Sequence, residues 1–324
     1  MKALTFEKYG RPREVLKITE EALPVPKENE VLVKIHCTTI NDYDWSMVRG
    51  KPWLYRLMFG WTRPKSSIPG MELSGTVVQI GSSVKAFKVG DEVFGDTSAY
   101  GFGTFAAYIS IHFKALVLKP SSLSFEAAAS LPHASLLAYQ GLVVQGKIRK
   151  GMKVLINGAG GGVGSFALHL SKLHACEVTG VDSKAKQKAL KAIGYDHIMD
   201  YESQDFTKSG ILYDLILDCK TSRLPFTYQG SLKHNGKYVS IGGSPMGLLS
   251  SFIWGKVLSL FSTKKLEILS LKPNEGLDYI CECYEKQQIK CLIDGPYPLE
   301  SGAKMLQYFG EGKHKGKVVL TVHP

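Results

Sequence analysis

Hydrophobic and polar residues alternate in short runs along the first third of the chain, and glycines bound these runs. Residues Glu30 to His36 alternate with a period of two, while β-branched or aromatic residues dominate Leu73 to Ile80 and Glu92 to Phe94. A period of two is typical of a strand with one buried face. The pattern predicts an antiparallel, partly closed β domain that contains a short helix over Asp42 to Arg49.

From about residue 121 the pattern changes to predicted helices that alternate with short apolar strands. This alternation is typical of a parallel sheet whose strands are joined by crossover helices. The predicted strands are Lys153 to Asn157, Glu177 to Val181, His197 to Asp200, Leu215 to Asp218, Lys237 to Ile241 and Leu266 to Leu271. Six such strands predict an α/β fold with a doubly wound dinucleotide-binding sheet. A final strand, Lys317 to Val322, is expected to join the sheet of the first domain.

A glycine-dense turn, Gly158 to Gly164, follows the first of these strands, and an amphipathic helix comes after it. Glycine lets the backbone turn tightly and approach a ligand, and the free N–H groups at the start of a helix attract an anion. The order of strand, glycines and helix therefore predicts a site for the pyrophosphate of a dinucleotide. The residues expected to hold it are Ala159, Gly160, Gly161, Gly162 and Val163.

The residues that follow the second strand bear on the choice of nucleotide. Asp182 stands about 20 positions after the turn, where an acidic residue accepts the ribose hydroxyls of NAD and repels the extra phosphate of NADP. Ser183, Lys184 and Lys186 argue the other way, because a hydroxyl and two ammonium groups suit that phosphate. All four are predicted to bind the cofactor, and NADP(H) is favoured slightly over NAD(H).

Composition and charge narrow the function further. The 324 residues are 44% hydrophobic and 21% charged, which fits a globular protein of two domains. The net charge of +11 has no single basic tail, so an anionic cofactor explains it better than nucleic acid. The sequence lacks the G-x-S-x-G, H-E-x-x-H and P-loop motifs, so hydrolase, metalloprotease and P-loop functions have no support.

The location and the membrane contacts of the chain are predicted from two further features. The N-terminus reaches charged residues too early for a signal peptide, and the six cysteines contain no Cys-x-x-Cys pair, so a cytoplasmic location is expected. The most apolar stretch, Gly247 to Phe261, contains Lys256 and is shorter than the roughly 20 residues that span a bilayer. It is predicted to be an amphipathic helix in the core or at a subunit interface, with membrane contact as the alternative.

Several further motifs occur along nearly the whole chain in one order. They are Pro69 to Gly75, Val89 to Val93, Gly103 to Tyr108, Ala128 to Pro132, the glycine turn and Gly316 to Leu320. In this order the chain resembles the medium-chain dehydrogenase/reductase superfamily, and within it the zinc-independent quinone oxidoreductase-like branch. The resemblance implies a GroES-like catalytic domain, residues 1–122 completed by 275–324, and a Rossmann nucleotide-binding domain, residues 123–274.

The resemblance also implies how the two domains act and assemble. The nicotinamide is expected in the cleft between them, close to Gly242 and Gly243, which follow the fifth strand of the second domain. A homodimer is expected, with Leu266 to Leu271 as the edge strand that pairs across a two-fold axis.

This chain departs from the zinc-dependent members of the superfamily. Those members have Cys and His ligands for the catalytic zinc where Asn41 and Met71 stand here, and the third ligand position falls near His133. An amide and a thioether do not replace a thiolate and an imidazole as zinc ligands. No catalytic zinc is therefore expected, and the four-cysteine structural zinc lobe has no counterpart. His133 is then expected to line the cleft or to pack in the core.

Without a Lewis acid, the expected reaction is hydride transfer to an acceptor that is already electrophilic, a quinone or a conjugated enone. Asn41 and Asp44 match the Asn-x-x-Asp segment of the family beside the nicotinamide, and Asn41 is the candidate that orients the substrate. Glu72 is expected to be a charge partner.

Tyr55 is a further catalytic candidate, from a set of aromatic residues that either line the substrate site or pack in the core. The set consists of Tyr43, Trp45, Trp53 and Tyr55. Two other functions stay open at this point, a metal-independent alcohol dehydrogenase and a non-catalytic nucleotide- or RNA-binding protein of the same fold.

Overall fold

The computed structural model describes residues 1–243, 247, 250, 254 and 262–323. The chain forms two compact units. Unit 1 comprises Met1–His133, Pro273–Leu277 and Ile293–Pro324, and unit 2 comprises Ala134–Lys272 and Asp278–Leu292. The domain boundaries expected from the sequence stay predictions.

The secondary structure alternates as the hydrophobic pattern predicts. Within the described residues the strands are β1 (Lys2–Thr5), β2 (Lys17–Glu20), β3 (Glu30–Thr39), β4 (Glu72–Ile80), β5 (Glu92–Asp96), β6 (Tyr108–His112), β7 (Val117–Leu118), β8 (Lys153–Asn157), β9 (Glu177–Asp182), β10 (His197–Asp200), β11 (Tyr213–Asp218), β12 (Leu232–Ser240), β13 (Lys265–Ile268), β14 (Ile293–Pro298) and β15 (Lys317–Thr321). The helices there are α1 (Pro12–Val15), α2 (Asp42–Arg49), α3 (Arg56–Phe59), α4 (Phe125–Ser130), α5 (Pro132–Tyr139), α6 (Gly162–Leu173), α7 (Gln187–Ile193), α8 (Pro225–Gln229), α9 (Leu277–Glu285) and α10 (Gly302–Gly310).

Unit 1 is built on a largely antiparallel sheet in the order β14-β15-β3-β4-β5-β7. The long strand β3 pairs with β4 along one edge, and along its other edge its first half pairs with β6 and its second half with β15. The predictions of an antiparallel domain and of a terminal strand within its sheet are therefore confirmed. Buried aliphatic and aromatic side chains fill the space inside this unit, among them Val33, Leu73, Val77 and Phe105. Because β3 has a strand on each side, residues at its end meet residues from β4 and β15.

Unit 2 is a six-stranded parallel sheet in the order β10-β9-β8-β11-β12-β13. The chain starts at the central strand β8, moves outward to β10, and then returns to build the other half from β11. The predicted doubly wound sheet is confirmed, and β13 is its edge strand. In such sheets ligands bind at the carboxyl ends of the strands where the direction of winding reverses, which is here between β8 and β11.

The predicted apolar helix Gly247 to Phe261 lies outside the described residues apart from positions 247, 250 and 254. Among the described residues, no helix is both long enough and apolar enough to pass through a bilayer.

Candidate active site

Three buried polar side chains from neighbouring strands of unit 1 meet in one cluster. Asn41 lies two residues after the end of β3, Glu72 begins β4 and Lys317 begins β15. Lys317 Nζ lies 2.5 Å from Glu72 Oε2 and donates to Asn41 Oδ1 at 2.7 Å. Asn41 Nδ2 in turn donates to Glu72 Oε2 at 2.7 Å. The side chains of Glu72 and Lys317 are 0% and 5% exposed, so water screens this ion pair very little.

Hydrogen bonds from other residues complete the shell of the Glu72 carboxylate. Thr39 Oγ1 donates to Oε2 at 2.5 Å, and the backbone N–H of His133 donates to Oε1 at 2.6 Å. Both oxygens of a buried anion are therefore hydrogen-bonded, which is the condition under which a buried charge is tolerated. The expectation that Glu72 is a charge partner is confirmed, and its partner is Lys317.

His133 belongs to a second buried ion pair beside the first. Its Nδ1 lies 2.8 Å from Asp96 Oδ2, at the end of β5, and Asp96 is completely buried. Burial lowers the pKa of His133, but the hydrogen bond and the negative charge of Asp96 outweigh it, so the pKa is raised overall. Burial raises the pKa of Asp96, yet the hydrogen bond and charge of His133 bring that pKa below its usual value. His133 is thus a core histidine with a dedicated carboxylate.

This pair predicts a pH dependence of stability. The contribution of protonated His133 is complete below about pH 6.5, the ordinary histidine pKa, and is lost as the pH rises through the raised pKa of the folded state. The contribution of Asp96 is present above about pH 4 and is lost as the pH falls through its lowered pKa. From about pH 6 to pH 9 we therefore expect the free energy of unfolding to fall by about 1–3 kcal/mol, the size of a charged hydrogen bond.

Urea unfolding of the native chain and of His133→Gln at both pH values measures this dependence. The variant should show a smaller fall, because it has no proton to lose at this position. His197→Gln is the matched control, since His197 also pairs with a carboxylate, Glu177, but is largely exposed. An identical fall in the native chain and in His133→Gln would contradict the prediction.

Asp44 fixes the start of α2 and the loop that precedes β4. Its two carboxylate oxygens accept hydrogen bonds from the backbone N–H groups of Asn41 and Gly70, both at 2.8 Å. Burial raises the pKa of Asp44 to about 7, although these two backbone donors act against the rise. An acidic residue in the first turn of a helix is a common N-terminal signal. Asp44 therefore positions Asn41 and is itself completely buried.

The structure separates the aromatic candidates. The ring of Tyr43 lies edge-on to the rings of both Tyr55 and His133, with centroids 6.4 Å and 6.2 Å away. Burial raises the pKa of Tyr43 and of Tyr55, so both phenols hold their protons at neutral pH. Trp45 packs against the core of unit 1, so of the two alternatives for this residue the contacts favour core packing over lining the substrate site. Trp53 is 64% exposed, which excludes core packing there.

The glycine turn of unit 2 is held by the carboxylate of Asp182. Gly160 N–H donates to Asp182 Oδ2 at 2.7 Å, and Ser183 N–H donates to Oδ1 at 2.8 Å. Lys186 Nζ lies 3.9 Å from the same Oδ1, and its side chain crosses Gly160, where a Cβ would come within 2.6 Å of the Lys186 Cδ. Four predicted cofactor residues are thus brought together, whereas Lys184 is exposed beside them.

The start of α6 has the form that an anion requires. Its N-cap is Gly161, which has no side chain, and no side chain among the described residues accepts a hydrogen bond from the N–H of Gly162 or Val163. Gly164 packs so closely on the turn that a Cβ there would lie 2.3 Å from the Ala159 carbonyl oxygen. These donors and this close backbone packing fit a dinucleotide pyrophosphate.

Gly242 and Gly243 lie near the same end of the sheet. The backbone N–H of Thr221 donates to the Gly242 carbonyl at 3.0 Å, and Thr221 forms an isolated bridge with Gly243. Gly243 has a φ of 143°, and a Cβ there would lie 2.2 Å from the Thr221 carbonyl oxygen. Only glycine therefore fits where these two loops meet. The loop after β11 also approaches Gly158, where a Cβ would lie 3.0 Å from the Cβ of Cys219.

Comparison with known proteins identifies the family. Residues 27–121 match the alcohol dehydrogenase GroES-like domain family, and residues 193–320 match the zinc-binding dehydrogenase family. A chloroplastic quinone-oxidoreductase homolog of Spinacia oleracea is 31% identical over 99% of this chain and 98% of the relative. The chain belongs to the quinone oxidoreductase-like branch of the medium-chain dehydrogenase/reductase superfamily. This confirms the resemblance inferred from the motifs.

Two further members of the superfamily support the assignment. The NADPH-dependent alkenal/one oxidoreductase of Arabidopsis thaliana is 29% identical over 100% of this chain and 80% of the relative. The structure of the quinone oxidoreductase from Coxiella burnetii is similar with a TM-score of 0.88 at 27% identity, covering 100% of this chain and 99% of the other. The GroES-like and Rossmann fold predicted from the sequence is confirmed.

The name of one matching family raises the question of zinc, and the donor set in this medium-chain reductase does not fit that ion. The amide of Asn41 is hydrogen-bonded to Lys317 and Glu72, and the Nδ1 of His133 is engaged with Asp96. A lysine ammonium, itself a cation, lies among the oxygens of the cluster, whereas zinc needs unprotonated N, O and S ligands around it. Across the described part of the chain, no group of three or more His, Cys, Asp or Glu side chains is arranged to hold a metal.

Three members of the buried cluster were not predicted from the sequence, namely Lys317, Asp96 and Thr39. A signal existed for Lys317, because it begins a strand whose next three residues, Val318 to Leu320, are apolar and was expected to join the sheet that holds Asn41. A lysine at the start of such a buried strand needs a carboxylate partner. For Asp96 the sequence offered no comparable signal.

Proposed function

We propose that this protein is an NAD(P)H-dependent reductase that transfers hydride to a quinone or a conjugated enone. The observation that carries the proposal is the ammonium of Lys317 between the side chains of Asn41 and Glu72. Unlike a bound zinc ion, a hydrogen-bonded ammonium on this chain does not generate an alkoxide from an alcohol. An acceptor that is already electrophilic needs no such activation. The relatives named as quinone and alkenal/one oxidoreductases support this acceptor class.

The nucleotide, when bound, supplies the hydride, and we assign its pyrophosphate to the turn from Ala159 to Val163. The N–H groups at the start of α6, which donate to no side chain among the described residues, are offered to the phosphates, and Asp182 holds the turn in place through Gly160. We assign Ser183 and the exposed Lys184 to a 2′-phosphate, because a hydroxyl and an ammonium group suit that anion, and we therefore favour NADPH over NADH. A carboxylate that is already hydrogen-bonded to two backbone donors is also less free to accept the ribose hydroxyls of NADH.

Reduction of an enone or quinone also needs a proton at the oxygen or carbon that becomes negative. We assign this proton to Tyr55, whose raised pKa keeps the phenol protonated at neutral pH. Asn41 and Asp44 are positioning residues in this proposal, because the amide of Asn41 is occupied by Lys317 and Glu72 and Asp44 fixes the backbone of Asn41. The catalytic site is further proposed to contain no zinc. The homodimer and the cytoplasmic location stay predictions, and both named plant relatives include chloroplastic in their names.

The test is an assay of the purified protein with NADPH or NADH and a panel of quinones and enones, and with NADP+ or NAD+ and simple alcohols. We expect nucleotide oxidation only with quinones or enones, a higher kcat/KM with NADPH, and zinc well below one ion per chain by elemental analysis. Tyr55→Phe should lower kcat more than it raises KM, and Tyr100→Phe, an exposed tyrosine of the same unit, is its control. Oxidation of neither nucleotide across the panel would refute the function, and alcohol oxidation that depends on zinc would refute the metal-free site.

A further inference from the structure

A segment of unit 1 presents an unusual apolar surface to solvent. We call residues 51–65 the basic aromatic segment. Trp53 and Trp61 are 64% and 61% exposed, and their rings contact each other edge-on with centroids 6.1 Å apart. Leu54 and Leu57 in the same segment are also exposed. Single exposed apolar side chains are common. Four large ones within nine residues form a patch, and such patches are typical of interaction sites.

The exposure results from the way the segment folds and not from loose attachment. A 3-10 turn over Trp53–Tyr55 continues into α3. On this helical stretch Leu54 and Leu57 are three residues apart and share the outer face, and the exposed Trp61 follows after α3 ends at Phe59.

The opposite face of the segment points inward. Phe59 is buried there and stacks on Tyr55, with ring centroids 6.0 Å apart, and its edge contacts Phe102 at 5.6 Å. Tyr9 Oη donates a hydrogen bond to the Gly60 carbonyl at 2.5 Å. The segment is therefore anchored on one side, and its tryptophans and leucines face solvent on the other.

The charge of this region has one sign. Between Asp44 and Glu72 the sequence contains no acidic residue. It contains five basic residues there, Arg49, Lys51, Arg56, Arg63 and Lys65. Arg49 and Arg56 lie over the rings of Trp45 and Tyr9. Lys51, Arg63 and Lys65 are exposed and form no ion pair with any residue that the structure describes. The patch thus combines outward tryptophans with positive charge that the described residues do not neutralise.

We propose that the basic aromatic segment docks this protein on an anionic phospholipid surface. Tryptophan prefers the boundary between lipid headgroups and acyl chains, where its ring is buried and its N–H finds a polar partner. Lysine and arginine beside it are attracted to anionic headgroups, each by about fivefold in binding constant. A segment with tryptophan and leucine on one side and basic residues around them therefore fits this surface in both chemistry and charge.

The charge also argues against a second copy of the chain as the partner. A symmetric contact places the same patch of both subunits together, so the four basic residues of the segment in one copy would face the same four in the other. Like charges brought together in an interface are unfavourable. This proposal does not rest on the proposed catalytic function, and its test uses no activity measurement.

The test is flotation of the full chain with vesicles of phosphatidylcholine alone and of phosphatidylcholine mixed with phosphatidylserine. We expect binding to the anionic vesicles that weakens as salt is raised. Trp53→Ser combined with Trp61→Ser should lower the partition constant at least about tenfold, since each removes a large apolar surface. Lys51→Ser and Lys65→Ser should each lower it about fivefold. The substituted side chains are exposed, so the variants should keep the native circular dichroism spectrum and unfolding midpoint.

Matched controls distinguish vesicle binding by the basic aromatic segment from non-specific vesicle binding. Phe226→Ser removes an exposed aromatic ring of unit 2, and Lys85→Ser with Lys88→Ser removes two exposed charges of unit 1 outside the segment. Both controls should leave vesicle binding within about twofold of the native value, well below the fivefold expected for one charge of the segment. Quenching of tryptophan fluorescence by brominated lipids should be strong in the native chain and weak in Trp53→Phe combined with Trp61→Phe.

Several outcomes would overturn the proposal. They are no binding to either vesicle, binding that the segment variants leave unchanged, and equal losses in the control variants. Light scattering that shows a dimer lost in Trp53→Ser with Trp61→Ser, without vesicle binding by the native chain, would make the segment a subunit contact. An RNA gel shift abolished by the same substitutions, again without vesicle binding, would make the anionic partner a nucleic acid.

Discussion

Lys317→Met is expected to lower the free energy of unfolding of unit 1 by about 3–5 kcal/mol, the cost of leaving a buried charge without its partner. Methionine fills most of the space of the lysine stem, so the loss comes from the charge rather than from a cavity. Glu72 would keep its hydrogen bonds from Asn41, Thr39 and the His133 backbone, but no cation among the described residues would remain within contact of its Oε2.

Urea unfolding followed by tryptophan fluorescence measures this loss in the right unit, because Trp45, Trp53 and Trp61 are three of the four tryptophans and all lie in unit 1. Adding Glu72→Gln to Lys317→Met should recover part of the stability, since it removes the unpaired charge. Lys313→Met is the control, because Lys313 pairs with Glu311 at the surface of the same unit with its side chain 64% exposed, and such pairs contribute about 0–1 kcal/mol. Equal effects of Lys317→Met and Lys313→Met would show that the buried pair contributes no more to stability than a surface pair does.

Gly164→Val is expected to weaken the binding of NADPH and NADH together by about tenfold to a hundredfold. A Cβ at this position would lie 2.3 Å from the carbonyl oxygen of Ala159 and 2.6 Å from that of Gly158. Both contacts are with backbone, so the turn must move away from α6. Overpacking of this kind costs about 1–3 kcal/mol, and the displaced turn no longer presents its N–H groups to the phosphates.

Isothermal titration calorimetry with each nucleotide gives the two dissociation constants. Gly230→Ala is the matched control, because Gly230 has ordinary helical dihedral angles and its Cβ would meet no atom closer than 3.7 Å. A native circular dichroism spectrum for Gly164→Val would show that unit 2 stays folded, helped by the hydrogen bond from Tyr195 Oη to the Gly164 carbonyl. Unchanged affinity in the folded variant would contradict the assignment of the pyrophosphate to this turn.

The sequence predicted the sheets well because their signals are local. Each strand of unit 2 has its own apolar run. The glycine turn after β8 predicts both the strand before it and the helix after it. The order of the strands then follows from the rules for parallel α/β sheets. The placement of β15 was also predictable, because its apolar residues fit the sheet of unit 1.

The side-chain partners were less predictable because they depend on tertiary structure. Glu72 and Lys317 are separated by 245 positions, and nothing local marks either as the partner of the other. Asp182 was predicted from its spacing, yet spacing does not reveal that its carboxylate accepts hydrogen bonds from Gly160 and Ser183. The outward direction of Trp53 likewise depends on which face of a short helix packs against Phe102, and a single aromatic residue does not encode that choice.

The pairing of Glu72 with a residue of β15 has a consequence for folding during translation. The carboxylate is made early, but its cation follows only 245 positions later in the chain. Before then the sheet of unit 1 has a gap beside β3 where β15 belongs. Burying the Glu72 carboxylate at that gap without its cation is unfavourable, so the side chain stays in water. Nascent chains that stall shortly before Lys317 should therefore lack a protease-resistant first unit, although the parallel sheet encoded between its two halves is already complete.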